Sequence, residues 1–195
     1  GNSDETHATE QDLMVRLASR GVEGMMLMPA RESGAAEDGL RADVEQVACP
    51  VVLIDRLVQN GWCDAVGFDN YVGGRLAARY LLEGGHRHIG IVTGDVAESS
   101  ALDRKRGFVD AIEQAGERFD PALCVAGDYR FDSGYHAADR IIDGGAPAVF
   151  CCHDVMALGF RQRLAARGLQ PTQAMQVIGY SHNPKPTGLC LHMTH

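Results

Sequence analysis

The sequence lacks most of the features that would assign it at once. None of its apolar runs approaches the roughly 18 residues that a membrane-crossing helix needs. None of its six cysteines (Cys49, Cys63, Cys124, Cys151, Cys152 and Cys190) stands in a C-x-x-C pair. The pattern suits small buried thiols in a reducing compartment better than a disulfide framework. Basic stripes are missing as well. Lys and Arg number 18 against 26 Asp and Glu, for a net charge of -8. Phosphate contacts need clustered Lys and Arg, so this acidic chain is a poor candidate for binding nucleic acid on its own. The opening GNSDETHATEQ has neither a basic n-region nor an apolar h-region, and no signal peptide is expected. There is no P-loop, no G-x-G-x-x-G after a strand, no G-x-S-x-G elbow and no H-E-x-x-H. No enzymatic reaction and no cofactor is therefore expected. His182, Cys190, His192 and His195 fit no zinc spacing, so no metal is expected either.

What is present is an ordinary globular composition, 45% hydrophobic and 23% charged over 195 residues, enough for one domain or two small ones. A cadence repeats along the chain: a polar cap, an amphipathic helix, a glycine, then a short apolar strand. Helices are expected over about 8–20, 40–47, 102–114, 133–143 and 154–167, and another after Asp69-Asn70 with Leu76, Ala77, Tyr80 and Leu81 on its inner face. The first presents Leu13, Leu17 and Ala18 inward, and the helix over 102–114 presents Gly107, Phe108, Ala111 and Ile112. Ser133 and Asp154 are expected caps. Strands are expected at 24–28, 51–54, 65–68, 89–92, 123–126, 148–152 and 176–179. Strand–helix–strand units in series build parallel sheets, so the class is α/β, doubly wound. Ligands in such sheets bind beyond the carboxyl ends of the strands. That rule selects Met28, Asp55, Arg56, Phe68, Asp69, Thr93, Gly94, Tyr129, His153 and Ser181.

The stretch VGFDNYVGGRLAARYLLEGGHRHIGIVTG, from Val66 to Gly94, resembles the effector-binding core of LacI/GalR-type transcriptional regulators. The Asp-Asn pair, the paired glycines, the Gly-His-Arg turn and the apolar strand ending in glycine stand in that family's order. The resemblance runs from about Gln11 to Tyr180. It implies a periplasmic-binding-protein-like fold of two doubly wound lobes, with a small sugar-like effector bound between them. Residues 1–68 would form a partial N-terminal lobe, 69–181 the C-terminal lobe, and 182–195 an irregular tail. A longer parent protein is expected, with the DNA-binding headpiece outside this chain.

The resemblance also implies site residues. Arg104, in R-x-x-G-F, matches an arginine that binds ligand hydroxyls, and a guanidinium offers a planar fork of donors suited to that task. Its expected place in a first helical turn, against the helix dipole, points the same way. Asp55 and Arg56 match a polar ligand contact, Phe68 an apolar residue that packs on the ligand, and Tyr129 an aromatic that stacks on a ring. Each has a plainer reading: a surface ion pair for Asp55-Arg56, core or cover for the aromatics. His153 stands where the family places an asparagine. Imidazole can donate and accept and titrates near neutrality, so binding there could follow pH. Ser181 replaces an aspartate that accepts from two sugar hydroxyls, which shifts or weakens a sugar preference. Met156 and Leu158 match a helix at the family's dimer interface, and fit equally well as core.

Three functions follow. The first is the ligand-sensing part of a cytoplasmic, dimeric repressor that meets operator DNA only through its headpiece and touches no membrane. The second is the periplasmic sugar-binding protein of a transporter. The third is an enzyme on a flavodoxin-like sheet, with Asp55, Asp69 and His153 as its best candidates.

Overall fold

The computed structural model describes residues 7–30, 35–56, 58, 61–96, 98–169 and 175–180. The chain divides into two compact units, Gly1–Asp69 with Ala97–Ser100, and Asn70–Val96 with Ala101–His195.

The first unit contains helix α1 (His7–Ser19), strand β1 (Met25–Leu27), helix α2 (Ala35–Gln46), strand β2 (Val51–Ile54) and strand β3 (Ala65–Val66). The strands form a parallel sheet in the order β1-β2-β3. β2 is the middle strand, and its Leu53 is fully buried. α1 turns a different face inward from the one expected: Met14 and Glu10 are buried, whereas Leu17 is exposed. The reason is polar. The Glu10 carboxylate accepts the backbone N–H of Ala30 at 2.7 Å, and Gln11 donates to Asp43 on α2 at 2.6 Å. These bonds fix the rotation of α1, because a buried carboxylate must keep its partners.

The second unit contains α3 (Asn70–Glu83), β4 (Ile89–Thr93), all but the first two residues of α4 (Ser99–Gln114), a 3-10 turn (Pro121–Leu123), β5 (Cys124–Ala126), α5 (Phe131–Asp143), β6 (Ala148–Cys151), α6 (Asp154–Ala166) and β7 (Gln176–Gly179). Its four strands are parallel in the order β5-β4-β6-β7. β4 and β6 lie inside the sheet and are buried along their whole length, which is why they read as continuous apolar runs. Phe108 of α4 stacks on Phe150 of β6, with centroids 5.4 Å apart, and Phe119 meets Phe108 edge-on. Phe160, Leu164, Ile141 and Leu123 complete this core. Each such side chain contributes about 1.5–3 kcal/mol on burial.

Several local expectations are corrected. α3 buries Gly74, Ala78 and Leu81 and leaves Leu76 and Tyr80 exposed. The paired glycines set this phase. A Cβ on Gly74 would collide with the carbonyl of Arg104, and one on Gly107 with the carbonyl of Tyr71, so the two helices touch backbone to backbone. The caps of α5 and α6 are Arg130 and His153, one or more positions before Ser133 and Asp154. α2 begins at Ala35, several residues earlier than expected.

Candidate functional site

The candidate site is built from side chains at the carboxyl ends of the second unit's strands. Arg104 is its most constrained member. α4 begins at Ser99, so Arg104 lies past the first turn and the helix-dipole argument for it does not hold. Burial takes its place: Arg104 is only 7% exposed. Its Nε donates to the Asn70 side-chain carbonyl at 2.8 Å, and its Nη1 donates to the backbone carbonyl of Cys152 at 2.8 Å. The ring of Tyr180 lies 4.2 Å from its Cζ. Two bonds and one ring face fix the plane of the guanidinium. Nη2 makes no hydrogen bond among the described residues.

Tyr129 follows β5 and adopts a left-handed backbone, φ 63°. Its ring occupies the space that a side chain at Gly94 would need, so the glycine just after β4 admits it. The ring meets His153 edge-on, with centroids 5.7 Å apart. His153 follows β6 and caps α6. Its Nδ1 is 3.0 Å from Asp154 Oδ1 and 3.3 Å from the Val155 nitrogen, which also donates to Asp154 Oδ1 at 2.8 Å. Next to it, burial pushes the Cys152 thiol up to about 12, and its sulfur is unreactive at neutral pH.

The structure therefore brings Arg104, Tyr129 and His153 together around the ends of β4, β5 and β6. Sequence reasoning missed Asn70 and Tyr180 as the groups that hold Arg104. Asn70 was legible only as a helix cap, and Tyr180 carried no signal beyond its place at the end of β7. Ser181 lies outside the described residues.

Asp55, Arg56 and Phe68 belong to the first unit. Arg56 is 7% exposed and its guanidinium is engaged: Nη1 donates to the carbonyls of Pro29 and Ala30, and Nη2 pairs with Glu98 at 3.1 Å. It is a buried anchor, not the surface ion pair with Asp55 that the sequence allowed. Asp55 has φ 68° and donates its N–H to the Val66 carbonyl, which holds it in the turn after β2. Phe68 is 72% exposed. Met156, expected at a dimer surface, is fully buried in the core of the second unit, and Leu158 is half-buried.

Among the described residues, no group of three or more His, Cys, Asp or Glu side chains could hold a metal ion, and no helix is long and apolar enough to cross a membrane.

Comparison with known proteins agrees with the fold. The family model described as "Periplasmic binding proteins and sugar binding domain of LacI family" matches residues 2–193. The chain is 32% identical to the HTH-type transcriptional repressor PurR of Pasteurella multocida, over 85% of this chain and 49% of that one. It thus spans about half the length of the curated relatives it matches. The transcriptional regulator CelR in complex with cellobiose superposes with a TM-score of 0.80 at 29% identity, over 90% of this chain and 54% of that one. The transcription regulator CcpA of Lactococcus lactis gives 0.84 at 22% identity, over 94% and 66%, a likeness of fold alone.

Proposed function

Because the chain belongs to the family of periplasmic binding proteins and LacI-type sugar-binding domains, we propose that it is the effector-sensing part of a LacI/GalR-type repressor. A small sugar or sugar derivative binds at the strand ends of the second unit. The observation that carries this reading is the buried, planar guanidinium of Arg104, with Nε and Nη1 anchored to the protein. A buried guanidinium with one nitrogen lacking a hydrogen bond among the described residues favours a polar ligand, and a group held in one plane loses little freedom when it binds one. Tyr129 and His153 flank it as an aromatic wall and a polar contact.

The effector binds one conformation more tightly and shifts the population toward it. In the whole protein this changes the affinity of a DNA-binding headpiece for its operator. The acidic balance of this chain suits a sensor that leaves DNA to another segment. The protein acts in the cytoplasm as a homodimer, with Leu158 at the interface, and catalyses no reaction. The likeness to two regulators, PurR and CelR, favours this reading over a transporter's receptor.

Thermal unfolding in a panel of neutral sugars, beginning with cellobiose, tests the proposal. A ligand with a micromolar Kd, supplied at about 100 times that value, stabilises the folded chain by about 2.7 kcal/mol. A saturable rise in Tm with one member is expected; a Tm unmoved by the whole panel counts against it.

A further inference from the structure

The two glycines of α3 face different neighbours. Gly74 lies against the backbone of α4, whereas Gly73 lies against a side chain. A Cβ at position 73 would stand 2.6 Å from Tyr180 Cε2, 2.8 Å from its Oη and 3.1 Å from its Cζ. Carbon atoms in favourable contact sit about 3.5–4.0 Å apart, so no side chain fits there while the ring keeps its place. All three atoms belong to the far end of the tyrosine. A side chain at position 73 therefore moves the ring and leaves the helix where it is.

The ring is held on its other sides as well. The Tyr180 N–H donates to the Cys151 carbonyl at 3.1 Å, which fixes the root of the side chain just after β7. Phe150 of β6 meets the ring edge-on, with centroids 6.4 Å apart. The Arg104 guanidinium lies over its face, with Cζ 4.2 Å from the centroid. A ring pushed away from α3 either presses on the guanidinium or slides off it. In both cases Arg104 loses the surface that sets its plane.

That surface has a specific task. Nε and Nη1 are anchored, each at 2.8 Å, to Asn70 and to the Cys152 carbonyl. Two hydrogen bonds leave one rotation open, a tilt about the line that joins the two nitrogens. Nη2 lies off that line and is the atom that the tilt displaces. A ring face against the guanidinium removes the tilt.

We propose that Gly73 is a positioning residue: by carrying no side chain it seats the Tyr180 ring on Arg104, and so fixes Nη2 in one place for the effector. The proposal rests on the reading that the effector binds Arg104. Gly73 acts through Tyr180 and not by contact with the ligand.

A double-mutant cycle separates this role from plain helix packing. Calorimetry uses a neutral-sugar panel of cellobiose, glucose and ribose. Gly73→Ala should weaken binding roughly 2- to 12-fold, as when one ordered side chain regains its freedom. In a Tyr180→Ala background no ring remains to be displaced, and Gly73→Ala should cause no further loss. Losses of equal size in both backgrounds, or no loss in the parent chain, would overturn the proposal. The Arg104 Nε–H proton gives a second readout that needs no ligand, with Arg104→Lys to assign it. The ring over the guanidinium shifts that resonance, so Gly73→Ala should carry it toward its position in Tyr180→Ala. An unmoved resonance would overturn the proposal. If no sugar binds, the effector reading fails, while the resonance still decides whether Gly73 seats the ring.

Discussion

The guanidinium of Arg104 lies 4.2 Å below the ring of Tyr180, joining the residue after β7 to the middle of α4. A cation over an aromatic face gains about 0.5–2 kcal/mol, more as water is excluded. Tyr180→Ala should therefore lower the unfolding free energy of the second unit by at least that amount and free the Arg104 side chain. Tyr180→Phe keeps the ring and should stay within a few tenths of a kcal/mol. Urea unfolding of the two variants gives the comparison, and equal losses would mean that the ring face contributes nothing.

The contact of α3 with α4 makes a second prediction. A methyl group on Gly74 would run into the Arg104 carbonyl and approach the Phe108 nitrogen to 3.0 Å. Backbone atoms on both sides leave no side chain to yield. Gly74→Ala should cost about 1–3 kcal/mol or more, as overpacking does, and should displace the helix that carries Arg104. An unchanged melting temperature would show that the helices are farther apart than described.

Met156 and Leu158 separate core from surface. Met156 is fully buried, so Met156→Ala should cost about 2–5 kcal/mol without altering oligomeric state. Leu158→Glu should do the opposite, leaving folding nearly intact and shifting sedimentation toward monomer. If Leu158→Glu leaves the sedimentation unchanged, the proposed homodimer through Leu158 is contradicted.

Glu10 gives the first unit a pH signature. Burial raises its carboxyl above the usual 4.5, opposed by the Ala30 N–H, by His7 and by Arg56, with Asp43 adding to the rise. A carboxyl with a raised folded-state value holds its proton more tightly folded than unfolded. Its contribution is full below the unfolded value and is lost as pH rises through the folded one. Glu10→Gln keeps a neutral acceptor for Ala30, so stability should no longer fall as pH rises across that window. A profile identical to the parent would assign the effect to another group.

The order of elements was legible because each strand is a short apolar run and most helices end at a glycine, as at Gly85 and Gly116 with φ 86° and 80°. Helix phase was less so. Leu76 and Tyr80 are larger and more apolar than Gly74, yet the close backbone contact at Gly74 decides which way α3 faces. The strand-end rule found Tyr129 and His153 without any likeness to a family. It could not show that Asn70 and Tyr180 hold Arg104, because those contacts join residues 34 and 76 positions from it in sequence. Nor could it show that Arg56 is spent on the carbonyls of Pro29 and Ala30.

In the proposed sensor, Arg104 holds the effector through its planar fork. The direct measurement is calorimetric titration of the parent chain and of Arg104→Lys with whichever neutral sugar raises the Tm. Lysine keeps the charge and loses the fork. A charged hydrogen bond is worth about 1.5–3 kcal/mol, so affinity should fall roughly 10- to 150-fold. Unchanged affinity in a folded Arg104→Lys chain would contradict it.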